Sequence, residues 1–108
     1  MTEGGRGFVA VWEFRIPPGS EGEFERAYGP EGPWVRLFAS DPAYRGTKLV
    51  KDVNDPQRYL TIDSWASAEA YDGFKGTHAA EYDEIDCQCQ SLTEGEREIG
   101  RFVGVERP

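Results

Sequence analysis

The sequence is poor in the residues that usually carry chemistry. It has one histidine and two cysteines among 108 residues. A lone histidine with no cysteine or carboxylate cluster spaced around it supplies no metal-ligand set. Two cysteines are too few for a disulfide framework. On a helix, Cys87 and Cys89 would point about 200° apart, so they could neither chelate one ion nor pair. Both are read as structural. No apolar run approaches the roughly 20 residues needed to cross a bilayer. The opening MTEGGRGF lacks an apolar h-region, so no secretory signal is expected. A cytoplasmic domain without membrane contact follows as the expectation.

Positive charge is also scarce. Twelve basic residues face 20 acidic ones, for a net charge of -8. A binder of phosphate backbones needs a dense basic stripe, and there is none, so nucleic acid is excluded as a partner. Residues 63 to 98 hold ten acids and two bases, while the remainder balances. A solvated helix face explains such a run most simply; a docking surface for a basic partner is the minority reading.

What is present fits one domain. The chain has the length of a single unit, and its 38% apolar and 13% aromatic content can build a core. Residues 1 to 7 are polar and Gly-rich and read as a flexible N-terminus, with the domain over 8–108. Phe8, Ala10, Trp12, Phe14 and Ile16 alternate with Val9, Val11, Glu13 and Arg15, which marks a strand. Pro17, Pro18 and Gly19 end it. Ser20 is a candidate N-cap, with Phe24, Ala27 and Tyr28 at helical spacing. Gly29-Pro30 stops that helix, and a short second one carries Trp34, Leu37 and Phe38. A strand from about Tyr44 to Asp52 and another from Arg58 to Trp65 flank the turn signal Asn54-Asp55-Pro56. They read as an antiparallel hairpin with a loop of roughly four or five residues.

Ser67 is a good N-cap for the next helix. Tyr71, Phe74, His78, Tyr82, Ile85, Cys89 and Leu92 form one apolar stripe over more than 20 residues. Gly73 and Gly76 weaken its first half and are candidates to open a gap beneath it. A last strand runs from Glu98 to Val105. The order β-α-β-β-α-β is the split βαβ, ferredoxin-like arrangement: an α+β fold with both helical layers on one face of a four-stranded antiparallel sheet. Val9, Val11, Leu49, Leu60 and Ile62 put apolar residues on the sheet's bare face as well. That is more than monomers usually expose, so a C2 homodimer packed through this face is predicted.

Three segments carry a resemblance: Val9-Ala-Val-Trp-Glu-Phe14 with its Pro-Gly turn, Tyr59-Leu-Thr-Ile-Asp-Ser-Trp65 followed by Ala-Ser-Ala-Glu-Ala-Tyr71, and His78 about a dozen residues beyond that tryptophan. Together they resemble the antibiotic biosynthesis monooxygenase-like superfamily of dimeric α+β barrels, over roughly residues 8 to 105. The resemblance implies a small dimer with a pocket between sheet and helices. Its members include cofactor-independent monooxygenases of phenols, quinol monooxygenases, haem-degrading enzymes and proteins of no known activity. The haem-degrading branch pairs a first-strand asparagine with a helix tryptophan and histidine. Here the first strand has no asparagine near Trp12, and Phe74 stands near the tryptophan position, so haem degradation is not expected.

Two readings remain. In the first, the protein is a monooxygenase that oxidises a small phenolic or quinol-type compound with O2 and no cofactor. His78 is then the catalytic base, since histidine is the side chain that ordinarily changes charge near neutral pH. Trp12, Phe14, Trp34, Phe38, Tyr71 and Phe74 would wall an aromatic pocket, with Asp63 orienting the ligand. In the second, the same dimer binds a small molecule or a partner without catalysis. Each residue also has a plainer explanation: His78 as a hydrogen-bonded residue at the core edge, the aromatics as packing, and Asp63 as a surface or capping acid. Whether His78 faces a cavity discriminates between the readings.

Overall fold

A computed structural model describes residues 7–105. Strands β1 (Phe8–Arg15), β2 (Tyr44–Asp52), β3 (Asp55–Trp65) and β4 (Gly95–Val103) form one antiparallel sheet in the order β2-β3-β1-β4. Helices α1 (Glu21–Tyr28) and α2 (Pro33–Phe38) connect β1 to β2. Helices α3 (Ala68–Thr77) and α4 (Ala79–Cys89), with a 3-10 turn at Gln90–Leu92, connect β3 to β4. The expected ferredoxin-like α+β architecture is therefore what the chain adopts.

Strand alternation sorts the two sheet faces. Phe8, Ala10 and Phe14 on β1 lie opposite Trp65, Asp63 and Tyr59 on β3, and all six are buried beneath the helices. Ile16, Phe24, Tyr28, Trp34, Phe38, Tyr71, Phe74 and Cys89 join them in this core. Its aromatic rings meet at tilted and edge-on angles, such as Phe38 against Trp65 at 5.6 Å and 71°, the geometry that ring quadrupoles favour. The opposite face carries Val9, Val11, Leu60 and Ile62, all partly exposed, with Val50 at 39% and Phe102 at 49% exposure. Leu49, expected there, instead pairs with buried Thr61 and packs on the core, because the β2 register puts Val50 opposite Leu60.

Several local expectations need correction. The long stripe is two helices, because the chain breaks at His78 (φ -110°, ψ 31°). The His78 amide still donates to the Phe74 carbonyl, and that of Tyr82 to the His78 carbonyl, both at 2.9 Å. The break is thus a one-residue kink, just after Gly76 and Thr77, both weak helix formers. The hairpin loop is only Val53 and Asn54, since Asp55 and Pro56 already belong to β3. Strand β4 begins earlier than Glu98 and ends at Val103, and its alternation is interrupted by a bulge opposite Val11 and Trp12. Residues 1–6 of the assigned N-terminal segment, and residues 106–108 of the domain, lie outside the described residues. The Gly7 carbonyl accepts from the Gly104 amide at 2.8 Å.

The two serine caps differ. The Ser67 hydroxyl accepts from the Ala70 amide at 3.1 Å, as an N-cap should. Ser20 makes no such bond. Instead the Glu21 carboxylate accepts from the Gly19 amide at 3.0 Å.

Candidate functional site

A cavity of about 210 Å³ opens between the sheet and the helices. Every element contributes to it. Trp12 and Phe14 come from β1, Thr47 from β2, Thr61 and Asp63 from β3, and Glu96 from β4. The helices add Tyr28 from α1, Trp34, Val35 and Phe38 from α2, Lys75 from α3, and Tyr82, Asp83 and Asp86 from α4. The volume is below the roughly 300–1,000 Å³ of drug-sized pockets, which fits a single-ring ligand. Six aromatic side chains line it. The Trp34 and Tyr82 rings meet edge-on at 4.8 Å.

Asp63 is the polar centre of this site. Inward placement follows from β3 alternation, with Tyr59, Thr61 and Trp65 on the same buried face. The residue is only 6% exposed. Its Oδ1 accepts from the Thr47 hydroxyl at 2.7 Å. Thr47 Oγ1 in turn lies 2.5 Å from the Tyr44 hydroxyl, which must donate because the Thr47 proton is already committed. Among the described residues, Oδ2 receives no hydrogen bond. Burial pushes the Asp63 carboxyl up from its ordinary 3.8 to about 6, against the smaller opposing effect of the Thr47 bond. A carboxylate that changes charge near neutrality inside an aromatic cavity can accept a proton from a ligand.

The expected site residues divide. Trp12, Phe14, Trp34, Phe38 and Asp63 come together around the cavity. Tyr71 and Phe74 do not line it. They are 1% and 2% exposed and pack against Trp65 at 5.6 and 5.1 Å. His78 does not line it either. Its ring stacks on Phe74 at 4.3 Å, and its Nδ1 lies 3.2 Å from the Phe74 carbonyl oxygen. Gly73 and Gly76 open no gap beneath the helix, because both are exposed and a Cβ at either would point into open solvent rather than toward the sheet.

Apart from Asp63, sequence reasoning missed the polar members. Thr47 and Thr61 share the inward face of their strands with Asp63's neighbours, a signal that alternation could have supplied. Tyr28 and Tyr82 already stood at core-facing helical positions. Lys75, Asp83, Asp86 and Glu96 gave no signal, since charged residues on amphipathic elements ordinarily read as solvated. The Lys75 ammonium lies 4.8 Å over the Tyr71 ring and 5.6 Å over that of Tyr82.

Fold and site together define an α+β domain with an aromatic cavity roofed by helices. The chain belongs to the antibiotic biosynthesis monooxygenase (ABM) family, whose profile matches residues 7–81. Solved structures agree on the fold. A Bordetella bronchiseptica protein named for the antibiotic biosynthesis monooxygenases superposes with a TM-score of 0.71 at 16% identity, covering 93% of this chain and 98% of that one. SnoaB of Streptomyces nogalater, a cofactor-independent oxygenase, superposes with a TM-score of 0.69 at 16% identity, covering 94% of both chains. A similarly named protein of Nitrosomonas europaea gives 0.68 at 12% identity, covering 97% of this chain and 95% of its own. No curated protein matches the sequence. No helix among the described residues is long and apolar enough to cross a membrane.

Proposed function

We propose that this protein is a cofactor-independent monooxygenase that oxidises a small phenolic or quinol-type compound with O2, acting as a homodimer in the cytoplasm. The observation that carries the reading is Asp63, a buried carboxylate with a pKa of about 6 inside an aromatic cavity. Family membership and the likeness to a cofactor-independent oxygenase support it.

Asp63 takes the role first assigned to His78, because proton transfer needs hydrogen-bond reach of the ligand. Oδ2 accepts the phenolic proton, and the resulting phenolate is electron-rich enough to reduce O2. A C–O bond forms at an unsubstituted ring carbon. Loss of that carbon's proton, with cleavage of the O–O bond, leaves a quinone and one water per O2. The aromatic walls hold the ring and exclude bulk water.

The dimer is supported by the uncovered apolar face of Val9, Val11, Val50, Leu60, Ile62 and Phe102, which runs across all four strands. The cytoplasmic location is supported by two free cysteines, Cys87 exposed and Cys89 buried. The position of His78 favours the other reading, a dimer of this family that binds a ligand without turning it over.

Oxygen uptake decides between them. The purified protein is mixed with a panel of phenols, naphthols and hydroquinones, and O2 consumption is followed with quinone absorbance. Stoichiometric quinone formation that disappears in Asp63→Asn supports the enzyme. Ligand binding with no O2 uptake from any compound leaves the non-catalytic reading.

A further inference from the structure

The cavity's charge is strongly one-sided. Asp63, Asp83, Asp86 and Glu96 line it against a single cation, Lys75. Among the described residues, none of these four acids lies within salt-bridge distance of a basic group, although Glu13, Glu25, Asp52, Asp55 and Asp72 all do elsewhere on the molecule. Among the described residues, Lys75 forms no ion pair with any of them. Its ammonium rests on the Tyr71 and Tyr82 rings.

The acids also act on each other and on the walls. Burial raises the Glu96 carboxyl, and the Asp86 charge adds to the effect. Tyr82 is raised first by burial, then by charges that include both Asp63 and Glu96. Tyr82 thus lies within reach of carboxylate charge from both β3 and β4. Asp63 itself is buried, and among the described residues none donates to its Oδ2. No three His, Cys, Asp or Glu side chains among the described residues come together as a metal site. The acids are spread around aromatic walls instead, and aromatic faces beside carboxylates recognise organic ammonium groups.

We propose that the ligand of this cavity is an aromatic amine: a phenolic ring carrying a protonated aminoalkyl arm, with the ammonium drawn to the exposed carboxylates of Asp86 and Glu96 beside the Trp34 and Tyr82 rings. The proposal rests on the phenol-pocket reading and narrows it to cationic substrates. A ligand bearing a carboxylate meets like charge from these acids, and a neutral one gains no attraction from them.

The test uses three phenols of one ring and different arms: tyramine, 4-ethylphenol and 4-hydroxyphenylacetate. Their affinities are measured by calorimetry at pH 7 on the intact protein and on the Asp86→Asn/Glu96→Gln variant. Tyramine is expected to bind at least about tenfold more tightly than 4-ethylphenol, with 4-hydroxyphenylacetate weakest. The preference should shrink with added salt in the unaltered protein, and move toward one in the variant. Equal binding of tyramine and 4-ethylphenol, or a preference for the carboxylate, overturns the cationic proposal and leaves the phenol pocket standing. A tyramine preference that survives both salt and the variant overturns it too, since the amine is then read elsewhere. Failure of all three to bind overturns the phenol-pocket reading and the proposal with it.

Discussion

Asp63 concentrates the consequences of single side chains. Its carboxyl is protonated in the folded protein below about pH 6 but ionises near 3.8 when ordinarily solvated. The unfolded chain therefore loses its proton first as pH rises, and the folded state is destabilised progressively between those values. Above pH 6 the penalty is constant at about 3 kcal/mol. Asp63→Asn keeps an acceptor for the Thr47 hydroxyl and removes the buried charge. Urea unfolding should find the variant more stable by up to roughly 3 kcal/mol at pH 8, with the gain vanishing below about pH 4. A gain that is equal at both pH values would contradict a buried-charge origin. The same substitution should lower kcat/KM by at least about 100-fold, the usual worth of a general base. Activity of the unaltered protein should rise through pH 6 and level off. His78→Ala is expected to change kcat/KM by less than about twofold, because its imidazole is out of reach of a cavity ligand. A loss comparable to that of Asp63→Asn would restore the histidine as the base.

At the scale of elements, α3 and α4 form one amphipathic stripe with a kink. The kink turns His78 onto Phe74 and leaves Gly73 and Gly76 facing solvent. Neither glycine has a positive φ, and space is open at both, so neither is required by the backbone. Gly73→Ala should stabilise the domain by about 0.5–1 kcal/mol through helix propensity. The midpoint of thermal unfolding checks this; a fall would mean that the glycine has a packing role. At the other end of α3, loss of the Ser67 cap in Ser67→Ala should cost about 1 kcal/mol. Ser20→Ala should cost less, since its hydroxyl caps nothing.

At the scale of the whole molecule, the fold is two layers, about 21 Å in its shortest dimension and 48 Å in its longest. One sheet face is roofed and the other is not. Val11 and Ile62 are cross-strand partners on the open face. Sedimentation should give about twice the 12.1 kDa chain mass, and Ile62→Glu should return it to the monomer by burying a charge in the interface. A monomeric unaltered protein would leave an apolar face in water and remove the dimer from the functional reading.

Local patterns were enough for the architecture, because they are one-dimensional signals. Period-2 runs in β1 and β3, the proline and glycine stops, and the Ser67 cap each act within a few residues, and their order leaves few topologies. The same alternation put Trp12, Phe14 and Asp63 on the roofed face. Which residues meet at a cavity depends on depth and on the pairing of distant elements, and no local pattern encodes that. Tyr71, Phe74 and His78 lie on the same stripe as Tyr82, yet only Tyr82 reaches the cavity, because the helix crosses the sheet and kinks at His78. The pKa of Asp63 is likewise a tertiary property. It comes from the helices that take water away from a strand residue otherwise indistinguishable from a surface acid.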